Sequence, residues 1–111
     1  MLKYKLYIKD ILDSIKKIED SLKGKNKDDF DKEDILKDAT YMRIQVIGES
    51  TNKISKEIKS KYKLNWEKIE RTRNIISHAY SYINSEIIWE LIKIELPKLK
   101  EVINEISKKE K

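Results

Sequence analysis

Apolar residues return every three or four positions along almost the whole chain, and that rhythm leaves one kind of architecture open. Ile8, Ile11, Ile15, Ile18 and Leu22 set it first, with Leu6, Tyr7 and Leu12 widening the stripe that begins at Tyr4. Such spacing stacks side chains on one face of an α-helix, whereas a half-buried strand needs strict alternation. Breakers are nearly missing, since 111 residues hold two glycines and one proline, which leaves little material for tight turns.

Gly24 is the natural left-handed cap for the first helix, and the polar stretch GKNKDDFDKED after it reads as a loop. A second helix is expected from about Asp31 to Asp34, running as far as Lys59 through Ile35, Ala39, Met42, Val46, Ile47, Ile54 and Ile58. Gly48 interrupts it at a cost of about 1 kcal/mol relative to alanine, so close helix approach or access to a site should compensate. A third helix should start near Trp66, anchored by Trp66, Ile69 and Ile76. Asn84 or Ser85 caps a fourth, buried through Ile87, Ile88, Leu91 and Ile92. Pro97 opens a last helix carrying Leu99, Val102, Ile103 and Ile106, because proline suits a first helical turn and not an interior. The expectation is an all-α, mostly antiparallel bundle of four to five helices, forming a single domain over residues 1–111.

The chain has no cysteine, which excludes a disulfide framework, a thiolate metal site and a cysteine nucleophile. Its start, MLKYKLYIKDIL, lacks the uninterrupted apolar run of a signal peptide, and no stretch approaches a membrane span. A cytoplasmic location without membrane contact is therefore expected. The net charge is +5, and residues 53–73 carry eight basic side chains against three acidic ones. A concentrated positive field suits a polyanion such as nucleic acid, although a lysine run is equally a solvated face in a lysine-rich chain.

The single histidine, His78, lies in RNIISHAY, five residues after Arg73. In an unbroken helix Asn74 and His78 share a face, while Arg73 and His78 stand about 7.5 Å apart along the axis and about 140° apart around it. Two readings are open on spacing alone. Either His78 satisfies the last carbonyls of its helix, or Arg73 and His78 converge on one ligand where the helix loosens or a second copy completes a cleft. One histidine and no cysteine make a metal site poor, so neither metal nor other cofactor is expected.

The ordered set Arg73, Asn74, His78 and Tyr80, R-N-x-x-x-H-x-Y, resembles the signature of the HEPN superfamily, specifically its HepT-like toxin ribonucleases. VIGES at 46–50 resembles that group's IGEA segment, and NWEKIERTRN its PW-to-RN approach. IIWELIKIELPKL resembles its tryptophan helix followed by a proline-started final helix. Two positions depart from the pattern: Asn65 stands for proline, which touches the helix entry, and Ser50 for alanine.

The resemblance implies a HEPN-like helical fold and metal-independent RNA cleavage in a homodimer cleft, with Arg73 and His78 as the catalytic pair. Attack of a ribose 2′-hydroxyl on its neighbouring phosphate needs two proton transfers and stabilisation of added negative charge. Imidazole suits the first and a bidentate guanidinium the second. Asn74 would orient the imidazole or the phosphate. Glu49 and Asn52, three apart, would line the cleft or else hold two helices together. The resemblance also implies a type VII toxin-antitoxin pair, in which a MntA-like nucleotidyltransferase antitoxin adds AMP units to Tyr80 and so excludes RNA by bulk and charge. Tyr80 is otherwise an aromatic closing the core at a helix end, as expected of Tyr82. Two other functions fit the same residues: a non-catalytic nucleotide- or substrate-binding subunit of a nucleotidyltransferase complex, and a plain dimerising bundle.

Overall fold

The computed structural model describes residues 4–78 and 82–110. Helix α1 (Lys5–Leu22) buries Ile8, Ile11, Ile15, Ile18 and Leu22 along one face, as the spacing requires. Each such burial contributes about 1.5–3 kcal/mol. Leu6 lies outside the stripe and is exposed, while Tyr7 and Leu12 pack against the core's edge. The chain turns after α1 at Gly24, whose φ of 75° is the left-handed conformation that favours glycine.

The segment expected as a loop contains a short helix, α2 (Lys27–Lys32). Asn26 and Asp29 form a reciprocal capping box: the Asn26 side chain accepts from the Asp29 amide, and the Asn26 amide donates to the Asp29 carboxylate. Phe30 anchors the turn. It is fully buried, edge-on to Tyr41 with centroids 6.2 Å apart and 5.5 Å from the Trp89 ring.

Helix α3 (Asp34–Asn52) ends seven residues short of the expected Lys59. Ser55, with extended backbone, caps a separate short helix α4 (Lys56–Lys59) by accepting from the Ile58 amide. The buried face of α3 differs in part from the expected one: Ile47, and Ile54 just beyond the helix, are buried as expected. Thr40, Tyr41, Ile44, Ile47, Gly48, Ser50 and Thr51 face inward, while Ile35 and Met42 are 85% and 62% exposed. A wide apolar pattern let two registers compete, and Gly48 with the small Thr and Ser residues allows closer approach on the buried side.

Helix α5 (Trp66–His78) buries Ile69, Thr72 and Ile76, with Trp66 half-buried at its start. Asn65, the position that departs from proline, accepts from the Lys68 amide and so serves the helix entry by another means. Asn84 caps α6 (Ser85–Glu90) through the Glu86 amide. Ile88, Leu91 and Ile92 are buried there as expected, while Ile87 faces solvent. Pro97 stands in the first turn of the last helix, as expected, but no break precedes that helix. A π-helical turn (Leu91–Glu95) joins α6 directly to α7 (Leu96–Lys109), and the Leu96 amide reaches five residues back to Leu91. Proline has no N–H for the carbonyl four residues before it and crowds that carbonyl, and a widened turn accommodates both without a break.

The core lies where α1 packs on α3, α3 on α5 and α7 on α1. The result is an all-α bundle in which α2 and α4 occupy stretches expected as loop or continuous helix. No helix among the described residues is long and apolar enough to cross a membrane.

Candidate active site

The site is built where α3 crosses α5. Gly48 faces the stem of Arg73 so closely that a Cβ there would stand 2.6 Å from the Arg73 Cβ and 2.7 Å from its Cγ. Real side chains do not approach so near, so the glycine inside α3 is explained by close helix approach. Its absent side chain is the slot through which Arg73 leaves the core. The Arg73 side chain is 19% exposed, and its Nη2 lies 3.5 Å from Oε1 of Glu49, the residue after that glycine. Its Nη1 donates to Oδ1 of Asn74 at 3.1 Å. The buried Nε has no hydrogen-bond partner among the described residues. A guanidinium held by one long ion pair and one amide contact keeps bonding capacity for a phosphate oxygen.

His78 occupies the last turn of α5 and its ring is exposed rather than packed among aliphatic side chains. No hydrogen bond or ion pair joins it to Arg73 among the described residues. Within one chain the intervening helical turn keeps the two apart around the axis, as their five-residue separation demands. The last turns of α5 are tied to α3 by Gln45, whose Nε2 donates to Ser77 Oγ at 3.1 Å. Gln45 shares a face of α3 with Gly48, Glu49 and Asn52, and that spacing is the signal by which it could have been found.

Of the residues singled out from the sequence, Glu49, Arg73 and Asn74 are brought together. Asn52 is exposed at the end of α3, and no hydrogen bond joins it to them among the described residues. Tyr80 lies outside the described residues. Tyr82 is 89% exposed, so it does not close the core as expected.

The basic segment is partly neutralised on folding. Lys61 pairs with Glu110, Lys68 with Glu90 and Glu95, and Arg71 with Glu67. Lys53, Lys56, Lys59 and Lys63 have no carboxylate partner among the described residues, and they set the remaining positive field around α4. The same residues include no group of three or more His, Asp or Glu able to hold a metal ion.

Comparison with known proteins bears on this geometry. A family model described as Ribonuclease HepT-like matches residues 11–106. The chain is 34% identical over 106 residues to a protein of Caldanaerobacter subterraneus subsp. tengcongensis named "putative RNase", covering 95% of each. It is 26% identical over 106 residues to a "probable ribonuclease HepT" of Thermococcus cleftensis, covering 95% of this chain and 96% of that one. A longer relative in Methanocaldococcus jannaschii, named "gamma-glutamylcyclotransferase and putative RNase", is 37% identical over 103 residues. The match takes in 92% of this chain and only 46% of that protein. No solved structure matches the chain significantly.

Proposed function

The chain belongs to the Ribonuclease HepT-like family of the HEPN superfamily, and from that premise we propose that it is a metal-independent endoribonuclease, the toxin half of a type VII toxin-antitoxin pair. The observation that carries the reading is the fixing of Arg73: its stem lies against Gly48 and its tip between Glu49 and Asn74, on the helix whose last turn presents an exposed His78. Arg73 clamps the scissile phosphate, replacing its long contact to Glu49 with a charge-assisted fork. His78 moves the proton, from the 2′-hydroxyl or to the leaving 5′-oxygen, and Asn74 orients the phosphate beside it.

One imidazole cannot serve as base and acid in the same step, so a second copy completes the cleft. The exposed side of α3 supports that copy's place. Ile35, Ala39, Met42 and Val46 follow one another at spacings of four, three and four, the seam of a helix pair, and Glu49 continues it to the site. A two-fold axis on this seam would bring two Arg73–His78 sets to one RNA strand. The antitoxin would be a MntA-like nucleotidyltransferase that transfers AMP to Tyr80, two residues beyond His78, and blocks the cleft with bulk and negative charge.

The test is cleavage of single-stranded RNA by the purified protein in EDTA. Products should carry 2′,3′-cyclic phosphate ends, and His78→Ala should lose on the order of 100-fold or more in rate while keeping its fold. Undiminished cleavage by that variant removes the catalytic assignment. A stable complex with the nucleotidyltransferase, nucleotide binding that needs Arg73, and no RNA cleavage would point to the binding-subunit role instead.

A further inference from the structure

Along α5, His78, Asn74, Arg71 and Glu67 share one face, with Glu70 at its edge and Trp66 about 120° around and about 18 Å along the axis from His78. A shallow groove of about 220 Å³ runs along it, lined by Glu67, Glu70, Arg71 and Asn74. It shares Glu67 and Glu70 with a larger cavity of about 510 Å³, whose other walls are Lys56, Lys59, Ser60 and Trp66. That volume lies within the range of small-ligand sites.

The side chains there are poorly explained by folding alone. Lys59 extends its ammonium over the Trp66 ring, 5.8 Å from the centroid, and donates to the Thr51 carbonyl at 3.3 Å. Burial pushes that ammonium below the usual lysine range, with Glu70 opposing the shift and the like charge of Lys56 adding to it. Lys56 and Lys59 are neighbouring cations with no ion pair among the described residues, an arrangement that suits an anion. Glu67 is engaged by Arg71 at 2.8 Å, whereas Glu70 has no ion pair among the described residues. Trp66 packs against the core and donates its Nε1–H to the Tyr62 carbonyl at 3.3 Å, so the two cations and the acceptor-only Glu70 are the groups left to a nucleotide: a place for phosphate and an edge reader.

We propose that this cavity is a nucleotide subsite for the RNA strand, placing a phosphate on Lys56 and Lys59 and reading guanine through Glu70. The proposal rests on the ribonuclease reading above, because the groove leads a bound strand to Asn74, one turn before His78 on α5. Guanine follows from donor chemistry. A carboxylate only accepts, and among the four RNA bases guanine alone offers two adjacent donors, N1–H and N2–H, to both of its oxygens.

The experiment measures binding of short single-stranded oligonucleotides to the full chain carrying His78→Ala, so that no cleavage intervenes. The oligonucleotides differ at one position, which is guanine, inosine or adenine. Guanine should bind on the order of tenfold tighter than adenine, with inosine, which lacks the N2 amine, between them. Glu70→Gln on the same background should erase that order, and Lys56→Ala should lower the log-log salt slope by about 0.7. Glu70 is exposed, so its replacement does not endanger the fold. Equal binding of all three bases, or a guanine preference that survives Glu70→Gln, overturns the subsite while leaving the nuclease reading in place. Failure to bind any RNA overturns both. Guanosine monophosphate offered alone separates a free-nucleotide site from a strand subsite: tight saturable binding without the strand would overturn the strand assignment.

Discussion

Gly48 shows how one missing side chain controls a distant one. A methyl group at that position must displace the Arg73 stem, because its nearest neighbours are Cβ and Cγ and not a flexible tip. Gly48→Ala therefore sets a gain of about 1 kcal/mol in helix propensity against an overpacking cost of about 1–3 kcal/mol. Thermal denaturation should show a modest net loss of stability. RNA cleavage should fall much further, on the order of a hundredfold, since misplacing a clamp by an ångström carries that penalty. A variant that melts early yet cleaves normally would sink the link between the slot and Arg73. At this scale the sequence was partly legible. Glycine inside a helix announced a close approach, but its partner 25 positions later could not be read from spacing. Glu49 was named for the cleft on resemblance, and its contact with Arg73 depends on two helices crossing at that level.

Among the elements, α2 is the smallest that matters to the core. Six residues form a stable turn only because both ends of the first turn are satisfied and Phe30 is held by Tyr41 and Trp89. Asn26→Ala should cost about 1 kcal/mol in chemical denaturation, and Phe30→Ala about 3–5 kcal/mol. A smaller loss in the second than in the first would show that the cap, not the ring, holds α2. Asn26 and Asp29 carry the capping spacing, but a polar stretch rich in possible caps and without an apolar stripe reads as a loop. The π turn before Pro97 is the opposite case. The proline was visible, but a chain that widens one turn to carry it and one that breaks there have the same local sequence. Packing of Leu91, Ile92 and Leu96 into the core on either side favours the continuous rod.

For the whole molecule, the exposed seam of α3 predicts self-association. Met42→Asp places a charge on that seam without touching the buried face. The variant should remain folded, sediment as a monomer and lose RNA cleavage. An active monomer would separate catalysis from dimerisation. Surface pairing also shapes the response to pH. Lysine partners hold Asp13, Asp20 and Asp31 below the usual carboxylate value of 3.8, so their contribution is present above that value and lost as pH falls through their lower folded pKa values. At the alkaline end, partner carboxylates raise Lys9, Lys16, Lys25, Lys27 and Lys68 above 10.5. Burial raises Tyr41 and Tyr62 above 10.0. These contributions are full below those values and lost as pH rises through the folded pKa values. Denaturation midpoints should form a plateau between about pH 5 and 9 and fall on both sides. The acid limb should shift least with salt for Asp31, the least exposed of the three aspartates.

The sequence by itself determined that the chain is helical, where most helices begin, and which stripe of α1 and α7 is buried. Those properties depend on backbone bonds four residues long, on caps three residues long and on apolar spacing within one element. Tertiary structure decided the rest: that α3 turns Tyr41 and Ile44 inward and leaves Ile35 and Met42 outside, that α3 stops at Asn52, and that Arg73 passes over Gly48 to meet Glu49. Each depends on which faces of two helices oppose one another, and contact energy between residues far apart in the chain selects among registers that local periodicity leaves nearly equal.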